Sequence, residues 1–352
     1  MKIGFYSPYY DSLSGGERYV LTLAGHWSKT HTVSIFWNDP SIVSKAQERF
    51  HLDLQHVHVA ANMFLDEPLL CKLFSSSQYD LIFFVSDGSV PFSCASKNIL
   101  LFQAPFPRIS YPFLKRMRYQ AIVVYSEFTK QKIDPLVGKN AIVIYPPVDV
   151  NAFIPRKKGK LILSVGRFSS LYQAKKQHVL IDAFRIGWIK GFLKGWELVL
   201  AGGLLESDRE YYHDFVQQAN GLPIRFLPNC SFDELKDLYG RATIYWHAAG
   251  YEEKDPTKME HFGITTVEAM ASGCIPIVYN AGGQPEIVDH GKNGYLWNTK
   301  KECLKYTEDV IHSEKLRKEL QSQAETTSQM FSSDNFCQRF DDLLHQITNK
   351  QC

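Results

Sequence analysis

Two carboxylates and two kinds of cation are the residues most able to share one ligand. Glu260 and Glu268 have seven residues between them, in the run Glu260-His261-Phe262-Gly263-Ile264-Thr265-Thr266-Val267-Glu268. Glu260 stands just before a short helical stretch that Gly273 stops. Glu268 falls about one and a half turns inside it, at 3.6 residues per turn. A helix start offers unpaired N–H groups and the positive end of a dipole, which suits a phosphate. A carboxylate beside that phosphate would repel it, so the two glutamates suit hydroxyl groups, as acceptors. A single glutamate in a helix is ordinarily just solvated. The strand end, Gly263 and the helix start together raise these two above that reading.

The cations lie in Ser164-Val165-Gly166-Arg167 and, a short turn later, in Ala174-Lys175-Lys176-Gln177-His178. Arg167 and a lysine at the following helix start can converge on one anion. A guanidinium fork and an ammonium point charge make a sensible pair for a diphosphate. Taken singly, Lys175 and Lys176 read equally well as surface charge. Near the start, Ser14-Gly15-Gly16-Glu17 would let backbone N–H groups approach a phosphate closely. It is neither a dinucleotide fingerprint nor a Walker loop, and a tight turn with a helix cap accounts for it about as well. Gln103, in Phe102-Gln103-Ala104-Pro105, closes another apolar run. The aromatic and basic Tyr111, Phe113, Lys115, Arg116, Arg118 and Tyr119 follow it. That stretch suits an acceptor-side wall or a contact with anionic lipid head groups. A solvated helix with long side chains lying along its surface is the plainer account.

Short apolar runs alternating with helical patterns must position these residues. Strands are expected at 2–6, 32–37, 57–60, 81–85, 98–102, 121–125 and 141–145, then at 161–166, 197–202, 224–227, 243–248 and 274–278. Apolar strands alternating with helices imply parallel sheets covered on both faces. Such sheets bind ligands at the carboxyl ends of their strands, where all these segments lie. Pro146-Pro147 and the polar run 153–160 mark a linker. The expected division is 1–152 and 153–330, with a final amphipathic helix, 331–352, packing back on a domain, conceivably the first.

The bulk properties narrow the function. A chain of 352 residues exceeds what one core usually supports. A net charge of +2 makes no electrostatic case for nucleic acid. The seven cysteines are scattered without a Cys-x-x-Cys pair, which suggests neither a zinc site nor a disulfide framework. Reduced thiols in a cytoplasmic setting are expected. There is no signal-peptide core and no membrane-spanning run. Association with the cytoplasmic face of a membrane needs only a basic, aromatic face.

A ligand carrying both a phosphate and several hydroxyls suggests a nucleotide sugar. Five motifs in order resemble the retaining glycosyltransferases of family 4. They are Gly15-Gly16-Glu17; Tyr125-Ser126-Glu127-Phe128-Thr129; Tyr145-Pro146-Pro147-Val148-Asp149 with Phe153; Val165-Gly166-Arg167-Phe168 with Lys176; and Glu260 through Glu268. The runs around Glu260 and Tyr145 are similar to those of lipid-linked oligosaccharide mannosyltransferases. The resemblance implies an α/β protein of GT-B type, with two Rossmann-like, doubly wound domains facing across a cleft and C-terminal helices packing back. It implies hexose transfer from a nucleotide-diphosphate sugar to a glycan or lipid-linked acceptor, with retention, no metal and no cofactor. Arg167 and Lys176 would hold the diphosphate, with Lys175 as the alternative lysine. Glu268 would take the ribose hydroxyls and Glu260 those of the hexose. Backbone at Phe262, Gly263 and Ile264, and at Gly16, would approach the donor. The family often has a histidine where this chain has Gln103, and glutamine cannot titrate. A sugar-nucleotide epimerase, a phosphorylase and a non-catalytic binder are the competing readings.

Overall fold

A computed structural model describes residues 1–65, 68–169 and 175–349. The chain forms two compact units, one of Met1–Pro147 with Ser333–Cys352, the other of Val148–Ser332.

The first unit is built on a seven-stranded sheet. Its strands are β1 (Lys2–Tyr6), β2 (Thr32–Phe36), β3 (Val57–Ala60), β4 (Leu81–Ser86), β5 (Lys97–Phe102), β6 (Ala121–Val124) and β7 (Ile142–Val143), in the order β3-β2-β1-β4-β5-β6-β7. Every neighbouring pair is parallel. Alternate residues feed opposite faces, as a pleated strand requires. Phe5, Ile35, Phe83 and Leu101 enter one core, and Phe36, Phe84, Leu100 and Phe102 the other. The helix Ser333–Asn349 buries Phe336, Phe340, Leu343, Leu344 and Ile347 in the first of these cores. Phe340 meets Trp27 and Phe83 with ring centres 6.1 and 5.7 Å apart. Asp341 accepts the Trp27 indole N–H at 2.8 Å and pairs with His26 at 2.8 Å.

The second unit is built on a six-stranded sheet. Its strands are β8 (Leu161–Val165), β9 (Glu197–Gly202), β10 (Ile224–Pro228), β11 (Ile244–His247), β12 (Ile275–Tyr279) and β13 (Tyr295–Trp297), in the order β10-β9-β8-β11-β12-β13. These pairs are also parallel. The doubly wound α/β expectation matches both sheets. β13 is an addition to it, a three-residue edge strand that follows a turn containing Gly291 and Gly294.

The units divide at Pro147/Val148 and Ser332/Ser333, not at 152/153 and 330/331. Hydrogen bonds and ring contacts account for the shift. The Val148 N–H donates to the Phe331 carbonyl at 2.9 Å. The Phe153 ring packs edge-on against Phe232 and Tyr239. The polar run expected to be a free linker is bound as well. Arg156 and Gly159 donate to the Gly240 and Arg241 carbonyls at the end of the helix Phe232–Arg241.

Candidate functional site

In the second sheet the strand order reverses between β8 and β11, and ligand sites form beyond the carboxyl ends of strands at such a reversal. Arg167 follows β8, His247 ends β11, and the turn Asn280-Ala281-Gly282-Gly283 follows β12. The helix Ile264–Ala271 starts beside them at Gly263, with no side chain capping it.

Glycines allow the close approaches here. Gly263 has φ +123°, and a Cβ on it would lie 2.6 Å from the Gln284 side-chain nitrogen. Gly282 has φ +63°, and a Cβ there would lie 2.0 Å from the Glu260 carbonyl oxygen. The Gly283 N–H donates to that same oxygen at 2.8 Å. The turn therefore holds the Glu260 backbone from behind.

The Glu260 side chain is 13% exposed and meets two partners on one oxygen. Lys175 Nζ donates to Oε2 at 2.6 Å. His247 Nε2 lies 3.1 Å from the same atom. Among the described residues no donor reaches Oε1. Burial pushes this carboxyl up, but the Lys175 ammonium and the His247 N–H more than offset it, so the group sits well below the usual carboxylate range. Burial also pushes the His247 imidazole down, against the pull of Glu260. The ring is therefore neutral at neutral pH.

A polar chain continues behind the histidine. Thr266 Oγ1 donates to Gln284 Oε1 at 3.0 Å, which turns the amide nitrogen toward His247 Nδ1, 3.5 Å away. Thr266, Gln284 and His247 are all buried. Glu268 is 7% exposed and accepts the Tyr239 hydroxyl at 3.0 Å. The Tyr245 hydroxyl donates to Thr265 Oγ1 at 2.8 Å. Phe262 is buried edge-on against Phe331.

The two lysines part company. Lys176 has φ +54° and begins the helix Gln177–Lys190. Its ammonium lies 4.0 Å from Glu253, in the loop after β11. Lys175, the alternative to Lys176 for the diphosphate, is the lysine that reaches Glu260. Arg167 is exposed and makes no ion pair among the described residues. Residues 170–174, where the chain was expected to turn toward these lysines, lie outside the described residues.

In the first unit, Gly15 and Gly16 begin the helix Gly15–Ser28. Glu17 is buried and accepts from the Ser14 N–H and hydroxyl at 3.0 and 2.8 Å, so the turn-and-cap reading of this loop describes it correctly. Gln103 lies against it. Its Nε2 is 3.4 Å from the Gly16 carbonyl, and a Cβ on Gly16 would be 2.4 Å from its Oε1. The stretch from Tyr111 to Tyr119 is not beside this loop. Tyr111, Phe113, Arg116 and Met117 line a cavity of about 340 Å³ with Gln120, Ala121 and Ile142. Those last residues stand at the amino ends of β6 and β7, whereas Gly16 and Gln103 follow the carboxyl ends of β1 and β5. The basic, aromatic stretch therefore forms a surface at the other end of the parallel strands from Gln103.

Sequence reasoning missed His247 and Gln284. The signal for His247 was its place as the last residue of an apolar strand beside the strand of Arg167. For Gln284 it was the glycine pair before it, which brings its side chain under Gly263.

The glycosyl transferases group 1 family model matches residues 149–327, within the second unit. The GDP-Man:Man(3)GlcNAc(2)-PP-Dol alpha-1,2-mannosyltransferase of Dictyostelium discoideum is 29% identical over 236 residues, which are 60% of this chain and 44% of that protein. The human protein of the same name is 31% identical over 241 residues, 61% of this chain and 46% of that protein. The chain thus spans about half the length of these curated relatives. Among solved structures, Anabaena HepE in complex with UDP and glucose superposes with a TM-score of 0.72 at 19% identity, covering 98% of this chain and 100% of that one. That likeness concerns the fold, which is the one glycosyltransferases of this kind use. With the family model matching half of the chain, and its site at the strand ends where such a sheet binds ligands, this protein belongs to the glycosyl transferases of group 1.

Proposed function

We propose that the chain transfers a hexose, with mannose as the first candidate, from a nucleotide-diphosphate sugar to a glycan or lipid-linked acceptor, retaining the anomeric configuration and needing no metal. The observation that carries this is the convergence of Lys175, Glu260 and His247 at the reversal of the second sheet, beside Arg167 and an uncapped helix start. Mannose and a lipid-linked acceptor come from the names of the relatives.

Arg167 and Lys175 hold the diphosphate and offset the charge that grows as it leaves. The backbone N–H groups at Gly263 and Ile264 add to this. Glu260 Oε1 accepts from hexose hydroxyls, and Glu268 from the ribose. Gly15, Gly16 and Gln103, beyond the carboxyl ends of strands in the first unit, are assigned to the acceptor. The leaving phosphate takes the acceptor's proton on the same face, so Gln103 need not titrate. The chemistry is positioning and leaving-group electrostatics.

No helix among the described residues is long and apolar enough to cross a membrane. The surface beside the amino ends of β6 and β7 offers a different contact, with an anionic bilayer surface. Phe113, Leu114 and Met117 are 69, 73 and 64% exposed there. Residues 108–119 contain Arg108, Lys115, Arg116 and Arg118 and no acid. Lys115 and Arg118 are tied to the carbonyls of Val90, Ser93 and Ala95, which anchors the segment beneath its exposed side chains. Apolar tips with positive charge complement acidic lipid head groups.

The test is an assay with GDP-mannose and a lipid-linked oligosaccharide, with and without EDTA, and with the product anomer read by NMR. GDP release in step with acceptor glycosylation, α-linked product and indifference to EDTA are expected. GDP release without acceptor consumption, or no affinity for any nucleotide hexose, would overturn the reading.

A further inference from the structure

We infer that His247 is a positioning residue for the transferred sugar: its Nε2–H holds Glu260 Oε2 so that Oε1 faces the hexose, and Gln284 and Thr266 fix its tautomer. The inference rests on the nucleotide-sugar reading above and gives His247, Gln284 and Thr266 a task that reading does not assign.

The argument starts from the far end of the chain. A threonine hydroxyl has one proton, and Thr266 places it on Gln284 Oε1 at 3.0 Å. The Gln284 amide is thereby oriented, with its nitrogen toward His247 Nδ1. An N–H facing Nδ1 requires a lone pair there, so the single proton of the neutral ring sits on Nε2. That proton points at Glu260 Oε2. Lys175 donates to the same oxygen. Two donors on one oxygen fix the plane of the carboxylate and leave the other oxygen unengaged among the described residues. A carboxylate that must accept from sugar hydroxyls within a few tenths of an ångström needs such support.

Each link is built to be dry and close. Gln284 and Thr266 are fully buried, and His247 is 2% exposed. Gly263 has no Cβ to keep the Gln284 amide away. An ordinary buried histidine needs only to satisfy its two nitrogens. This one spends a donor on a carboxylate that already has a cation, at the end of the strand next to that of Arg167.

The experiment compares wild type with His247→Leu, His247→Gln and Thr266→Val. It measures affinity for GDP, affinity for GDP-mannose, and kcat for transfer. In wild type, mannose should add affinity over GDP alone. His247→Leu should leave GDP affinity within about twofold, lose at least about tenfold of the mannose increment, and lower kcat about a hundredfold, the scale of one misplaced positioning contact. His247→Gln, whose amide can donate to Glu260, should recover most of both. Thr266→Val, which frees the Gln284 amide to turn over, should show a weaker form of the same pattern and covers the case in which His247→Leu fails to fold. A His247→Leu protein that keeps the increment and kcat overturns the role. So does one in which GDP affinity falls as far as GDP-mannose affinity, since that is general collapse of the site. A wild-type protein that gains nothing from mannose overturns the nucleotide-sugar reading itself, which separates the two failures.

Discussion

Lys175 Nζ lies 2.6 Å from Glu260 Oε2, with both side chains less than one-fifth exposed. The pair joins the residue proposed to hold the diphosphate to the one proposed to hold the sugar. Donor binding must therefore share the lysine's protons between carboxylate and phosphate, which an ammonium with three donors can do. Breaking such a pair leaves a carboxylate without its cation. Lys175→Met is expected to cost about 3 kcal/mol in unfolding free energy at neutral pH, at the low end for pairs away from water. Urea titration measures this. The carboxyl is held below its ordinary value of 4.5 in the folded protein. Its contribution is fully present above that value and is lost as pH falls from there toward the folded one. The stability gap between wild type and Glu260→Gln should thus shrink on acidification below 4.5. A gap that widens would contradict the charge assignment.

Arg167 makes no ion pair among the described residues and is exposed, so its removal should spare the fold. Arg167→Ala is expected to lower transfer by about a hundred- to a thousandfold, the scale of losing one group that stabilises developing charge. Its melting temperature should stay within a degree or so of wild type, as for an exposed substitution. Near-normal turnover would remove Arg167 from the site.

Gly263 tests the geometry that both proposals share. At φ +123° an alanine is strained, and its methyl would meet the Gln284 amide. Gly263→Ala should destabilise by about 2 kcal/mol and lower affinity for a nucleotide sugar more than for the nucleotide alone. Equal losses for the two ligands would point to a disturbed helix start rather than a displaced Gln284.

The lipid surface has its own variant. Phe113→Ser with Leu114→Ser removes two exposed apolar side chains and no charge. Full burial of one such side chain contributes about 1.5–3 kcal/mol, so vesicle affinity should fall more than tenfold. Flotation with phosphatidylserine vesicles measures it. Transfer to a water-soluble acceptor should be unchanged. Raising salt should weaken binding of wild type as well, because the basic residues act through water. Vesicle binding indifferent to both would rule out this surface as the contact.

How far the residues foretold the molecule depends on the range of the interaction. The apolar strands were legible because burial on both faces leaves near-continuous hydrophobic runs. β13 was not, since Tyr295, Leu296 and Trp297 form too short a run between turns to show a period. The unit boundary was misplaced by five residues because Pro146-Pro147 ends a strand, but only tertiary contacts decide which sheet the next residues join. Lys175 and Lys176 part at one left-handed residue, Lys176 itself, which sends the adjacent side chains to different partners. His247 and Gln284 are 37 positions apart and meet because two neighbouring strands end side by side. No local pattern carries such a pairing.

The helix Ser333–Asn349 has a consequence for how the molecule is made. It completes the core of the first unit, yet the whole second unit, Val148–Ser332, precedes it on the ribosome. Translation therefore reverses the usual rule that the unit begun first is finished first. The face around Phe5, Trp27 and Phe83 emerges early and waits for its cover until Ser333–Asn349 is synthesised. During that interval the nascent chain carries an aromatic surface in want of a temporary escort, and a stop codon just after Ser332 would make the vacancy permanent while leaving every residue of the second unit intact.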